Sequence, residues 1–338
     1  MRVAVVGCGK GGEGIGAHSI GYRHAEAYKN MGYQIVGACD LNLENLQRLK
    51  KEYTVPHAHE ELSVMLEEAS PEIVSICTYV GSHLPILKQC INSGAKAIFM
   101  EKPLCLTKAD GLEMIQLAVK NNTKVVVNHY RRYLPRFIET KKLIENGVIG
   151  APLFYFAGID GWDLMEWGTH WLDMFRFFSG DQEIKWVMGQ AEIGEKTGYG
   201  HAMEDHALAY WEFADGSKAL LDGGSGFKGE KAMRIVGTKG MIEIPDHNPA
   251  CYTTAAGRTE YGKDTNIHFN ENDQAWLDLL SELDEWRRGG PEPQCSLTNA
   301  LKSTELYLAA YQSAVQRGRV IPPLNTSQDT FPLNTLTQ

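Results

Sequence analysis

The sequence predicts a chain of two domains: an α/β domain built on a doubly wound parallel sheet, then an α+β domain with an open, mainly antiparallel sheet. Three observations carry this. Up to about residue 127, short apolar runs rich in Val and Ile alternate with amphipathic stretches, the pattern of a parallel sheet covered by helices on both faces. The first run passes directly into a glycine-rich turn, Gly7-Cys8-Gly9-Lys10-Gly11-Gly12. Later, strand-like segments crowd together around turn signals such as Ala214-Asp215-Gly216 and Thr238-Lys239-Gly240, and strands joined by tight turns pair antiparallel. The length of 338 residues suits two domains, assigned as 1–127 and 128–338.

Taken in order, residues 2–6 form a strand, and the glycine turn leads to a helix containing His24, Ala25, Ala27 and Tyr28. A second strand, 34–39, stops at Asp40. Leu62, Met65 and Leu66 mark a helix, 73–79 a strand, Leu84, Leu87 and Ile91 a helix, and 97–100 a strand. Thr107 opens a helix with Leu112, Ile115 and Val119 on one side, before a strand at 124–128. The second domain begins with a helix at 135–146 and another near Gly168. Strands are expected at 153–159, 186–193, 206–213, 217–222, 232–236 and 241–244. Trp276, Leu279, Leu280, Leu283 and Trp286 make a helical stripe stopped by Gly289-Gly290-Pro291, and a last helix runs from about 298 to 316.

Composition narrows the function. Hydrophobic residues at 43% and charged residues at 22% are those of an ordinary globular protein. A net charge of -9 disfavours nucleic acid and anionic membrane surfaces, which attract clustered Lys and Arg, and points to a small-molecule partner. The seven cysteines are odd in number and scattered through apolar runs, so reduced buried thiols are expected rather than disulfides or a zinc site. The chain starts directly in a strand and carries no run of about 18 apolar residues, so a cytoplasmic location is expected. His57-x-His59 lacks further ligands at metal-site spacing and reads as loop surface, and no metal is expected.

Gly7, Gly9 and Gly12 satisfy G-x-G-x-x-G directly after a strand, where absent side chains let backbone approach a pyrophosphate at a helix N-terminus. Asp40 closes the second strand, where its carboxylate suits ribose hydroxyls and repels a 2′-phosphate. The cofactor is therefore expected to be NAD rather than NADP, with Arg48 the one neighbouring cation against that choice. The interval from Gly12 to Asp40 holds 27 residues and further glycines at 14, 16 and 21, a long loop before the helix.

Glu101-Lys102-Pro103, ending a late strand of such a domain, resembles the Gfo/Idh/MocA oxidoreductases. So do Gly7-Cys8-Gly9, the run Gly21 to Tyr28, Thr78 and His83, Gly147 to Gly150, Gly168-Thr169-His170-Trp171-Leu172-Asp173, Ile235 to Gly240 and Ala300 to Glu305. The resemblance implies a Rossmann domain joined to an open-sheet domain whose face packs on another subunit, hence a homodimer or homotetramer. It implies NAD-linked oxidation or reduction at a hydroxyl-bearing carbon of a sugar, sugar derivative or inositol. It makes Lys102 and His170 catalytic, adds Thr78, His83 and Glu101 to the cofactor-binding set of Gly7, Gly9, Gly12 and Asp40, and implies substrate contacts for Arg131, Glu166, Thr169 and Asp173. Where relatives carry Asp four residues before the histidine, this chain has Glu166.

Oxidising an alcohol needs a proton acceptor beside the hydride acceptor, and an imidazole suits that task near neutral pH. An ammonium at Lys102 would stabilise charge on the substrate oxygen, or the two roles are exchanged. On one helix, Glu166, His170 and Asp173 would share a face, while Trp162, Trp167 and Trp171 would stack on a sugar ring or build core. Two alternatives stand beside a dehydrogenase: a redox-assisted glycoside-cleaving enzyme with tightly held NAD, and a non-catalytic NAD-binding regulator.

Overall fold

The computed structural model describes residues 1–9, 20–161, 163–198, 201–224, 227, 232–245, 249–262, 273–326 and 330–336, and Gly12 and Trp162 lie outside them. The chain divides into two compact units. Unit 1 comprises residues 1–105, 110–128 and 273–300, and unit 2 comprises 106–109, 129–272 and 301–338.

Unit 1 alternates as the sequence predicts: β1 (Arg2–Val6), α1 (Ile20–Asn30), β2 (Gln34–Cys39), α2 (Leu43–Tyr53), β3 (His57–His59), α3 (Leu62–Ala69), β4 (Ile73–Ile76), α4 (His83–Asn92), β5 (Ala97–Met100), α5 (Lys108–Lys120) and β6 (Lys124–Val127). The six strands form a parallel sheet in the order β3-β2-β1-β4-β5-β6. Its central strands are buried along nearly their whole length, as expected where helices cover both faces. The Asn42 side chain caps α2 by accepting from the backbone N–H groups of Glu44 and Asn45.

Two expectations are corrected in this unit. His57 to His59 is a short edge strand rather than loop surface, pairing with Gly37 to Cys39 of β2; three residues reading His-Ala-His carry no apolar alternation that would mark a strand. The stripe from Trp276 to Trp286 does form a helix, α8 (Asp273–Arg287), but it belongs to unit 1, where it packs on β5 and β6. Unit 1 therefore takes in residues 273–300 besides the stretch that ends at 128. An apolar stripe shows that a helix buries one face without specifying which sheet receives it.

Unit 2 contains α6 (Pro135–Glu145), β7 (Pro152–Asp160), α7 (Gly168–Phe178), β8 (Ile184–Gly198), β9 (His201–Phe213), β10 (Lys218–Gly224), β11 (Ala232–Gly237), β12 (Gly240–Pro245), β13 (Ala250–Thr254) and β14 (Gly257–Tyr261). α9 (Leu297–Gln316) begins in unit 1 and continues in unit 2. The eight strands form one sheet in the order β14-β13-β12-β11-β7-β10-β9-β8, antiparallel throughout except where β7 pairs parallel with β10. α7 covers one face, with Phe175 against Tyr155 and Trp211 at ring separations of 5.9 and 5.7 Å. The opposite side chains, among them Phe154, Trp186, Met188, Tyr210 and Val236, stay half-buried or exposed. Among the described residues no helix is long and apolar enough to cross a membrane.

Candidate functional site

The predicted residues divide between the units: those of unit 1 stand at strand ends of its sheet, and those of unit 2 on α7 and the turns around it. In unit 1 the C-terminal ends of β1, β2, β4 and β5 carry Gly7, Asp40, Thr78 and Lys102, the end of an open parallel sheet where ligands bind. Gly7 has φ of +94°, and a Cβ there would stand 2.6 Å from the carbonyl oxygen of Cys77, so only glycine makes this turn. Gly9 is exposed, and among the described residues a Cβ there would meet nothing nearer than 3.9 Å.

Asp40 ties this turn to β2. One carboxylate oxygen accepts the Cys8 backbone N–H at 2.6 Å and the other accepts that of Asn42 at 2.7 Å. Each oxygen keeps lone-pair capacity for a hydroxyl. The cation counted against NAD, Arg48, is engaged by Glu44 one turn away on α2. Gly12 lies outside the described residues, and the close approach of helix to strand that a third fingerprint glycine provides is made by Gly21: a Cβ there would stand 2.2 Å from the Gly7 carbonyl oxygen. No motif spacing marks this role, because Gly21 stands nine residues beyond Gly12.

Thr78, His83 and Glu101 were expected at the cofactor, and the structure gives two of them inner positions. His83 is fully buried, with Nε2 2.9 Å from the Thr78 carbonyl oxygen and Nδ1 3.1 Å from that of Leu104. It therefore staples the loop after β4 to the segment following Lys102-Pro103. Thr78 is half-buried and accepts a hydrogen bond from Ser82 Oγ at 2.7 Å. Glu101 is buried; Oε1 accepts from Asn128 Nδ2 at 2.6 Å and His24 Nε2 at 3.0 Å, while Oε2 accepts the Lys102 backbone N–H at 3.3 Å. Burial opposes its ionisation, but the hydrogen bond and charge of His24, the charge of Lys102 and the Asn128 amide outweigh it and hold the carboxyl below its usual range. The chain continues through His24 Nδ1 to Ser75 Oγ at 2.7 Å and on to the Tyr28 hydroxyl at 2.6 Å. Glu101 and His83 thus frame Lys102 and Thr78 through backbone and buried contacts.

In unit 2 the first turn of α7 presents Thr169 and His170. The His170 ring is buried in an aromatic setting, 5.8 Å from Tyr130, 6.2 Å from Trp167 and 6.4 Å from His129 between centroids. Thr169 is buried with Oγ1 3.4 Å from His129 Nε2. The Arg131 guanidinium lies 4.0 Å from the Trp171 ring centroid, so this tryptophan stacks on a protein cation.

Asp173 departs from its expected role. Only 1% of it is exposed, and Arg132 grips both oxygens, Nε at 2.8 Å and Nη2 at 2.9 Å, with Ser303 Oγ donating at 2.8 Å. Arg132 also holds Asp181 with two bonds, and Arg176 Nη2 lies 2.8 Å from Asp181. Burial opposes the charge on Asp173, yet Arg132 in particular pulls its carboxyl far below the usual range. A carboxylate this deeply buried and paired on both oxygens supports α7.

Glu166 also departs. α7 starts at Gly168, so Glu166 lies in the preceding turn and does not share a helix face with His170. The turn is held by Asp163, whose Oδ1 accepts the backbone N–H groups of Glu166 and Trp167 at 2.9 and 3.1 Å. The Glu166 carboxylate approaches His201 Nε2 at 3.7 Å. Beside it, Glu204 Oε1 accepts the Leu164 N–H at 2.7 Å and the Tyr311 O–H at 2.8 Å. Burial and mutual repulsion raise the Asp163 carboxyl, and burial raises that of Glu204; burial lowers the His201 imidazole, but bonds to Glu166 and Ala202 raise it on balance. Asp163, Glu204 and Tyr311, which join Glu166 here, were not singled out by the sequence: they span 148 residues and share no spacing pattern.

Fold and site together define an oxidoreductase with a dinucleotide-binding Rossmann domain and a separate open-sheet domain. Comparison with known proteins gives the family. Residues 1–129 match the oxidoreductase family with the NAD-binding Rossmann fold, Gfo/Idh/MocA, and residues 137–243 match the Gfo/Idh/MocA C-terminal domain. The chain belongs to this family, and its cofactor is NAD. It is 25% identical over 259 residues to a myo-inositol 2-dehydrogenase from Thermotoga maritima, covering 72% of this chain and 74% of that one. It is 25% identical over 336 residues to a scyllo-inositol 2-dehydrogenase (NAD(+)) from Bacillus subtilis, covering 93% and 94%. An oxidoreductase from Agrobacterium radiobacter, solved with NAD+, L-tartaric acid and magnesium, shares the fold at a TM-score of 0.77 and 19% identity, covering 95% of this chain and 98% of that one.

Proposed function

We propose that this NAD-dependent oxidoreductase oxidises a secondary hydroxyl of an inositol, a sugar or a sugar derivative. The observation that carries the reading is Asp40, whose carboxylate is bonded to the glycine turn by the Cys8 N–H at 2.6 Å and keeps acceptor capacity at the strand end where an adenosine ribose would sit. Bound NAD supplies the hydride acceptor. Gly7, Gly9 and Asp40 hold the dinucleotide, with Thr78 bordering it. His170 takes the hydroxyl proton, and the Lys102 ammonium stabilises the oxygen as it gains charge. Arg131, Thr169 and Glu166 are proposed to shape substrate recognition, Glu166 from the turn before α7 and with His201 as its partner. The inositol dehydrogenases among its relatives support the substrate class.

The half-buried apolar side chains on the uncovered face of the unit 2 sheet support self-association through that face as a dimer or tetramer. Seven buried cysteines, none in a disulfide, support a reducing compartment such as the cytoplasm. The test is an NADH-formation screen across inositols, free sugars, sugar phosphates and nucleotide sugars, repeated with NADP and with Asp40→Ala. Turnover on one of these polyols, a preference for NAD and a narrowed preference in Asp40→Ala are expected. Equal kcat/KM for the two cofactors in the unaltered enzyme overturns the assignment of Asp40, and tightly held NAD that cycles without net NADH moves the reaction to redox-assisted cleavage.

A further inference from the structure

β3 and α3, on the edge of the unit 1 sheet farthest from Lys102 in strand order, bring together three side chains that no part of the proposed reaction uses. Successive residues of a strand point to opposite faces, so His57 and His59 share one face of β3. α3 packs against β3 and β2 and places Glu68 over that face. Glu68 Oε2 lies 3.2 Å from His57 Nδ1 and 2.8 Å from His59 Nε2, and all three ligand atoms lie within 4.8 Å of one another. The side chains remain solvent-accessible at 35%, 29% and 49%, so an ion can reach them.

We propose that His57, His59 and Glu68 form a binding site for one divalent cation of the Zn2+ class, clamping the edge strand to α3. Zinc bonds of about 2.0–2.1 Å to imidazole nitrogen and carboxylate oxygen at tetrahedral angles set ligand atoms about 3.3 Å apart. Two of the three pairs already stand at 3.2 and 2.8 Å, and the two imidazole nitrogens, within 4.8 Å of each other, close on the ion by side-chain rotation. Two imidazoles and one carboxylate are a ligand set that suits Zn2+ and its neighbours in the transition series, whereas Mg2+ and Ca2+ take oxygen ligands. The fourth position faces solvent and is filled by water. Among the described residues no other group of three His, Cys, Asp or Glu side chains converges in this way. The expectation of no metal overlooked the site because Glu68 comes from the next element: nine residues after His59 is no recognised ligand spacing.

Tag-free, chelator-treated full-length protein titrated with Co2+ and then Zn2+ tests this, read by visible d–d absorption, calorimetry and thermal midpoint. Binding of one Co2+ per chain, displacement by Zn2+ and a Zn2+-dependent rise in midpoint are expected. Changes in residues that merely orient metal ligands cost about 10- to 100-fold in affinity, so His57→Ala, His59→Ala and Glu68→Gln should each weaken binding at least tenfold. Because these positions are surface-accessible, the variants should melt with wild-type midpoints when metal-free; His59→Gln, which keeps a hydrogen-bond donor, repeats the test should an alanine variant melt early. No saturable uptake by the wild type, or uptake by His57→Ala/His59→Ala equal to wild type, overturns the proposal. Neither result bears on the dehydrogenase assignment, which uses none of these residues.

Discussion

The buried, ion-paired carboxylate of Asp173 gives the sharpest test of what supports the site in unit 2. Arg132, Arg176, Asp173 and Asp181 form a group of two cations and two anions, all buried except Asp181, whose side chain is 31% exposed. Asp173→Asn keeps the shape but removes one anion, leaving two buried guanidinium groups to share Asp181. Breaking a buried ion pair from one side costs about 3–5 kcal/mol, which for a unit of this size lowers the thermal midpoint by roughly 6–20 °C. The pH dependence has a fixed sign. The folded carboxyl titrates below its unfolded value, so its stabilisation is fully present above about pH 4–5 and is lost as pH falls through the folded value. The gap between wild type and variant should therefore stay constant from pH 5 to 8 and close under stronger acid. Chemical denaturation followed by tryptophan fluorescence, to which the fully buried Trp211 of this unit contributes, reads the loss. A direct substrate contact predicts the reverse: an unchanged midpoint and a raised KM. A variant that melts within 2 °C of wild type and binds substrate poorly would refute the structural reading.

Other consequences can be checked in the same preparations. His170→Ala should lower kcat by about a hundredfold to ten-thousandfold with NAD affinity little changed. Combined with Lys102→Ala, it should be scarcely worse than the poorer single variant if both act on one oxygen; strictly additive losses would separate their roles. Gly21→Ala places a methyl group 2.2 Å from the Gly7 carbonyl oxygen, so α1 or the turn must yield by about an ångström. Overpacking of this kind costs about 1–3 kcal/mol, with weaker NAD binding by titration and kcat at saturating NAD largely kept; unchanged NAD affinity would show that the turn tolerates the shift. Glu204 has a raised folded pKa, so its carboxyl reduces stability as pH rises from its unfolded value of about 4.3 through the folded one. Glu204→Gln retains an acceptor for Leu164 and Tyr311 and removes the charge, so it should be at least as stable as wild type at pH 8 with a flatter stability profile. A loss of more than about 2 kcal/mol by denaturant titration would mean that the charge itself is needed, as for hydrogen bonds to charged groups.

How much was legible follows the range over which each interaction acts. The parallel sheet, the glycine turn and most helices were readable because strand and helix periods and the glycine requirement at Gly7 are set by residues within a few positions of one another. Asp40 was readable for the same reason: a strand end is marked locally, and its partner Cys8 lies in the turn that the motif marks. The sequence also singled out Lys102 and His170, through motifs that sit whole in one short segment. Only the tertiary structure could decide that α8 returns to the first unit, since its apolar stripe carries no address. Only it could show that Asp173 is spent on Arg132, 41 residues away, and on Ser303, 130 residues away, or that Glu68 meets His57 and His59. Burial and charge compensation are sums over neighbours drawn from the whole chain, and sequence spacing determines those neighbours only where one helix or strand holds them all.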